Sequence, residues 1–267
     1  MKTLLSALLL GLASSAALAQ TAPVFTSACD DRNSGSRTNK RFCETRDLTM
    51  AGPGSQTLTI DGRTNGGISV TGWDGTDVRV RVKISAWAKT DADATDLAKG
   101  VAISTSGNTL RAIGAKGLLE GWAVSYEVFV PRKTALALNT VNGGISLSNL
   151  ESSISFETVN GGIALSNVAG QVKGQTTNGG VSINLTGSKW EGEGLDVQTT
   201  NGGITWSLPK DYSAQLYTST NAGGISAAGL PVTKSGLMYK EITATLGQGG
   251  ARVKAVTTNG GIKVNRD

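Results

Sequence analysis

No histidine occurs anywhere in the 267 residues. That absence removes the commonest general base and the commonest transition-metal ligand together. A serine nucleophile has no imidazole to activate it, and no Gly-x-Ser-x-Gly elbow is present. Cysteine is limited to Cys29 and Cys43, too few for a thiolate zinc site. Aromatic residues make up 5% and charged residues 17% of the chain, and there are only 5 prolines against 36 glycines. Helical periodicity is nearly missing, so the composition is that of an all-β protein. After residue 20 no stretch is long and apolar enough to span a bilayer. The formal net charge is only +5, and no basic run is interleaved with aromatics, so nucleic acid is not an expected partner. Neither an EF-hand loop nor a Gly-Gly-x-Gly-x-Asp nonapeptide occurs, so no calcium site and no other cofactor is expected.

The chain divides into three parts. Residues 1–19 read as a signal peptide: Lys2 supplies the positive start, Leu4 to Leu12 the apolar core, and Ala17-Leu18-Ala19 the cleavage site. No cysteine follows directly, so a lipid anchor is not expected. Export to the periplasm, cell surface or medium is. Residues 20–47 are polar and hold both cysteines, and an oxidising compartment predicts a Cys29–Cys43 disulfide. Residues 48–267 carry the β-repeats.

The repeats turn on the phrase Asn-Gly-Gly, at Asn65, Asn142, Asn160, Asn178, Asn201 and Asn259, with a stretched copy beginning at Asn221. After each pair of glycines an apolar, a small and a second apolar residue follow, as in Ile145-Ser146-Leu147, Ile163-Ala164-Leu165 and Ile204-Thr205-Trp206. Before each Asn the chain also alternates, as in Leu136/Leu138/Thr140 and Ile154/Phe156/Thr158. Residues two apart share a strand face, so each unit is a strand, a corner and a second strand, each burying one side. Glycine accepts positive φ freely and asparagine tolerates it, which predicts corners built on left-handed backbone. Asn142, Asn160 and Asn178 are 18 residues apart, and the later steps are 23, 20 and 38. Eighteen residues trace about 60 Å of strand. That length fits one coil of a β-solenoid, the expected fold, with asparagines stacked coil on coil. Asn-Gly is also a hairpin signal, so an antiparallel meander or sandwich remains the alternative.

Two further segments stand out. Val78 to Ile84 alternates cleanly, with Arg79, Arg81 and Lys83 on one face; that stripe is a candidate surface for an anionic polysaccharide, and equally an ordinary solvated or edge-protecting face. Residues 91–100 read as a short helix capped by Asp91 or Asp93 and stopped at Gly100.

The signal peptide, the alternating early strands, the run Val128-Phe129-Val130-Pro131 and the Asn-Gly-Gly-Ile-x-Leu units together resemble the bacterial putative-adhesin family of β-strand repeats, a domain of unknown function akin to the head GIN domain group. The resemblance covers roughly residues 50–265. It implies a β-solenoid-like fold, an exported or envelope location, and no catalytic residues.

The functional expectation is an exported, non-enzymatic envelope protein that binds a glycan, a surface or a partner protein. A stacked ladder of Ser69, Ser146, Ser182 and Thr205 would offer one such face. The alternative is a scaffold that self-associates through open coil ends, because the last repeat finishes close to Asp267. A polysaccharide lyase or hydrolase is the weakest reading, since Asp74, Asp77, Glu120, Glu157, Glu191 and Glu193 are scattered.

Overall fold

The computed structural model describes residues 22–29, 39–115, 120–230, 233–235 and 240–266. The expected signal peptide lies outside these residues.

Strands, numbered along the chain, form two facing layers. The front layer runs in space as β1 (Lys40–Ala51), β4 (Asp77–Ala88), β7 (Gly121–Pro131), β3 (Ile68–Trp73), the first half of β9 (Ile145–Asn160), the first half of β10 (Ile163–Asn178), β11 (Val181–Asn184), β13 (Ile204–Leu208), β19 (Ile262–Arg266) and β15 (Ile225–Ser226). The back layer runs as β5 (Ala102–Ser104), β6 (Thr109–Ile113), β2 (Leu58–Asp61), β8 (Leu136–Thr140), the second halves of β9 and β10, β12 (Gly194–Asn201), β18 (Arg252–Asn259), β14 (Ala214–Ala222), β17 (Glu241–Leu246) and β16 (Thr233–Ser235). The 16-residue strands β9 and β10 bend from the front layer into the back one, which joins all the strands into a single folded-over sheet.

Within the repeats the pairing is parallel and in register: Ile145 beside Ile163, Ile163 beside Val181, Val181 beside Ile204. Parallel stacking of equivalent residues is the coil arrangement; a meander would pair these strands antiparallel. The alternation then buries one row from each layer. Leu147, Leu165, Ile183, Trp206 and Val264 meet Leu138, Phe156, Val172, Val197 and Ala255, all 4% exposed or less.

The stack does not follow chain order. β18 and β19, the last strands made, lie between the coil at Asn201 and the coil at Asn221. The repeat that finishes near the C-terminus is therefore internal, contrary to the expected bare last coil. The terminal coil is β14 and β15; antiparallel β17 and β16 extend its back layer, and only the two-residue β15 edges its front. The opposite end is closed by antiparallel β1, β4 and β7 and by α1 (Asp91–Lys99), whose Ala94 and Ala98 are buried. Thr90, not Asp91 or Asp93, caps that helix, accepting from the Asp93 N–H at 3.1 Å. Arg46 on β1 donates to the Ala98 carbonyl at 2.9 Å and closes its other end.

The corners are built differently from the sequence expectation. Among the corner glycines only Gly223 has positive φ. A Cβ on Gly161 would instead stand 2.0 Å from the Gly143 carbonyl oxygen of the neighbouring coil, and Gly143, Gly179, Gly202 and Gly260 repeat that contact at 2.0–2.1 Å. The first glycine is there because adjacent backbones nearly touch. Within the repeats the left-handed asparagines are Asn149 and Asn167, in the looser second corner.

Two side-chain ladders lock the corners. Asn142, Asn160, Asn178, Asn201 and Asn259 each donate an amide N–H to the preceding asparagine's oxygen at 2.7–2.9 Å, the first of them to Asn65. The ladder ends there because Ala222, not Asn221, takes the next rung beside Asn259. Beneath it, Thr140, Thr158, Thr176, Thr199, Thr257 and Thr220 turn buried hydroxyls onto the first-glycine carbonyl of the adjacent coil at 2.7–2.8 Å. Each corner carbonyl, removed from water, thereby keeps a donor.

Candidate functional site

Three surfaces hold the polar groups that a ligand would meet. The first is the expected basic stripe on β4. Arg79 donates to Asp77 at 3.2 Å and lies 5.1 Å from the Trp73 ring centre. Arg81 makes a two-pronged pair with Asp47 at 2.7 and 2.8 Å, donates to the Ser27 carbonyl at 3.3 Å, and lies 4.8 Å over the Phe25 ring. The Arg81 hydrogen bond holds the Asp47 carboxyl below its ordinary value. Lys83 is half-buried and enters no ion pair among the described residues. Two of the three cations are thus committed within the chain.

Part of the Arg81 engagement comes from a strap, residues 22–29, that crosses the outer side of β7 and β4. Glu127 on β7 anchors it. Its carboxylate accepts from the backbone N–H groups of Thr26 and Ser27 and from both their hydroxyls, at 2.6–3.1 Å. Phe25 rests on Phe129, ring centres 5.3 Å apart, and Cys29 is joined to Cys43 on β1. Burial alone would push the Glu127 carboxyl up, but the Ser27 hydroxyl, the two backbone N–H groups and the Thr26 hydroxyl outweigh it and hold the group below its ordinary value. A depressed carboxyl stabilises the docked strap above its unfolded pKa of about 4.3 and ceases to do so as pH falls through the lower folded value. Amide protection at Thr26 and Ser27 is therefore expected to be full at pH 6 and to fall below about pH 4, and Glu127→Gln to lower it at pH 6 with the difference from the parent closing at low pH. Protection in Glu127→Gln equal to the parent's at pH 6 would show that the carboxylate does not hold the strap.

The second surface is the outer side of the front layer. Ser69, Ser146, Ala164, Ser182, Thr205, Lys263 and Ser226 stand in one register row, so the expected ladder forms, with Ala164 inside it and Lys263 and Ser226 extending it. Beside it the second corner glycines floor a trough of about 880 Å³ that ends against Thr26 and Ser27 of the strap. Its repeating part presents hydroxyls and bare backbone.

The third surface is the outer side of the back layer, and sequence reading missed it. One row holds Ser155, Lys173, Asp196, Lys254 and Tyr217; a second holds Asn139, Glu157, Gln175 and Gln198; a third holds Gln171, Gly194, Arg252 and Gln215. Lys254 pairs with Asp196 at 3.1 Å, and Gln175 donates to Glu157 at 3.1 Å. The Arg252 guanidinium lies 4.9 Å over the Tyr217 ring. Two neighbouring depressions, of about 280 and 370 Å³, share Lys173 and Asp196 as a common wall. The smaller one is open at Gly194, where φ is +136° and a Cβ would stand 2.4 Å from the Arg252 carbonyl oxygen. The residues of this face lie up to 115 positions apart, from Asn139 to Lys254, and no local motif joins them. The only signal was the alternation itself, which placed Lys173, Gln175, Asp196 and Lys254 opposite the buried row.

Among the described residues no group of three or more His, Cys, Asp or Glu side chains could hold a metal ion, and no helix is long and apolar enough to cross a membrane. Carboxyls with a displaced pKa move down: Asp47 through Arg81, Asp74 through the Arg132 hydrogen bond, and Glu127 through the strap. A general acid needs the opposite displacement.

In-register coils in two facing layers, corners locked by side-chain ladders, and broad polar outer faces define the molecule as a two-layer β-solenoid. The chain belongs to the Toastrack DUF4097 family, whose model matches residues 47–265. A search of curated proteins gives no match. Among solved structures, a putative cell adhesion protein of Clostridium sporogenes is 10% identical, covers 85% of this chain and 100% of its own, and has a TM-score of 0.42. A putative adhesin of Parabacteroides merdae is 13% identical over 83% and 95% of the two chains, with a TM-score of 0.31. A putative lipid binding protein of Parabacteroides distasonis is 11% identical over 83% and 96%, with a TM-score of 0.30.

Proposed function

We propose that this protein is an exported envelope protein that binds a linear glycan along the axis of its solenoid and does no chemistry on it. One observation carries the reading. The outer side of the back layer repeats amide, carboxylate and ammonium groups in register, one strand every 4.7–4.9 Å. A polymer lying across the strands meets a new row of donors and acceptors at each step, and a single long contact adds many weak bonds. Alternating hydrogen-bond donors and acceptors suit hydroxyl-rich sugars, and Tyr217 supplies an aromatic surface within the same face. Export is supported by the signal pattern in residues 1–19 and by the Cys29–Cys43 disulfide.

The chain from residue 20 onward, applied to an array of linear and branched glycans, is expected to retain linear ones, more tightly as their length increases. Retention that does not grow with length, or no retention at all, would overturn the reading and leave a protein partner as the next search.

A further inference from the structure

The cations the sequence offered for anion recognition are largely committed, and the structure assembles others. Lys173 and Arg252 enter no ion pair among the described residues. Both are exposed, and they line the same depression on either side of Gly194. Gly194 accepts no side chain without striking the Arg252 carbonyl, so the gap between the two cations stays open. Of the two acids at its rim, Glu193 accepts from the Gln171 amide, and Asp196 gives one carboxylate oxygen to the Lys254 ammonium while its other, buried oxygen has no partner among the described residues. Arg252 is also steadied. A guanidinium stacked on a ring keeps its N–H groups in its own plane, directed away from the ring, where a carboxylate can take two at once.

We propose that Lys173 and Arg252 form a clamp for the carboxylate of an acidic sugar, so that the glycan bound on the back layer is a polyuronate-type chain. Arg252 supplies the two-pronged contact and Lys173 a point charge on the other side of the Gly194 gap. Gln175 and Gln198, in the adjoining depression, face the hydroxyls of the next sugar. The volume of about 280 Å³ suits one sugar ring more than a branched group. The inference rests on the reading that this face binds a linear glycan.

The test measures affinity of the full exported chain for polygalacturonate oligomers, for the same oligomers with their carboxyls reduced to alcohols, and for single-stranded DNA of matched charge. Lys173→Gln/Arg252→Gln is the variant, and Lys263→Gln, on the front layer, the charge control. Loss of one charge-assisted clamp is expected to weaken polygalacturonate binding about tenfold or more, to remove most of its salt dependence, and to weaken the binding of the reduced oligomers, which carry no carboxylate, much less. Lys263→Gln is expected to behave as the parent. Equal affinity for acidic and reduced oligomers, or an unaffected double variant, overturns the clamp while leaving the glycan reading standing. Binding of neither polymer fails both. Tighter binding of the DNA shows a plain polyanion surface and overturns the sugar assignment.

Discussion

Gly161→Ala is expected to destabilise the fold by about 3–5 kcal/mol, whereas Gly162→Ala costs under about 1 kcal/mol. The two glycines are neighbours in one Asn-Gly-Gly corner, and a turn-propensity argument would treat them alike. The geometry separates them. A Cβ on Gly161 would sit 2.0 Å from the Gly143 oxygen and 2.4 Å from its carbon, backbone atoms with nowhere to rotate. The Gly143 oxygen is also the acceptor for the buried Thr158 hydroxyl at 2.8 Å, so relief by tilting the peptide breaks a bond that nothing else replaces. Moving the coils apart would lengthen the β9–β10 ladder and pull on the amide pair between Asn160 and Asn142. A Cβ on Gly162 meets only the Gly180 oxygen, at 3.4 Å, which is ordinary contact. Neither residue has positive φ, so conformational strain does not contribute to the difference. Denaturant unfolding of both variants decides the matter. Equal destabilisation would mean that the corner is selected for its bend and not for the closeness of its coils.

That contrast marks where sequence reading stops. The period, the in-and-out alternation and the Asn-Gly-Gly phase were all legible, because each is a local consequence of one coil repeating. So was the pairing of Cys29 with Cys43 as an expectation, since only two cysteines exist. The threonine two places before Asn142, Asn160, Asn178, Asn201 and Asn259 was legible only as a member of the buried row; its hydroxyl bond needs the carbonyl of another coil. The purpose of the first glycine was hidden for the same reason. Arg81 looked free because the groups that engage it come from Asp47 on β1 and from the strap, and a strand read alone has no neighbours; the Arg79 partner, Asp77, stands two places earlier on the same strand and was legible. The Lys173–Arg252 cluster joins β10 to β18, and that proximity depends on the order in which coils stack.

Stacking order is also why a chain ending at Gly247 is expected to lose far more than its last repeat. Read along the sequence, β18 and β19 are a terminal unit whose removal would leave a slightly shorter stack. In the structure they are the rung between the coil at Asn201 and the coil at Asn221. They supply Val253, Ala255, Ile262 and Val264, all 3% exposed or less, to the core. They also carry acceptors for the terminal coil: Thr218 donates to the Ala255 carbonyl at 2.7 Å, and Thr220 to Gly260 at 2.8 Å. Without them β14 keeps its antiparallel partner β17 but faces a gap one strand wide on its other side. What remains on that side is β14, β17 and the three-residue β16, a short piece of sheet cut off from the rest of the core, and such a piece is marginal in water. Hydrogen exchange is expected to show β14 and β17 unprotected in the shortened chain, while β9, β10 and β12 keep protection at their centres. The Asn201 amide oxygen loses its donor, Asn259, so the Asn ladder ends one rung earlier. Full protection of β14 would mean that the Asn221 coil slides down onto β12 and closes the gap, which would make the coils interchangeable modules. Unprotected β14 would mean that this part of the stack can close only after its last-made strands have arrived.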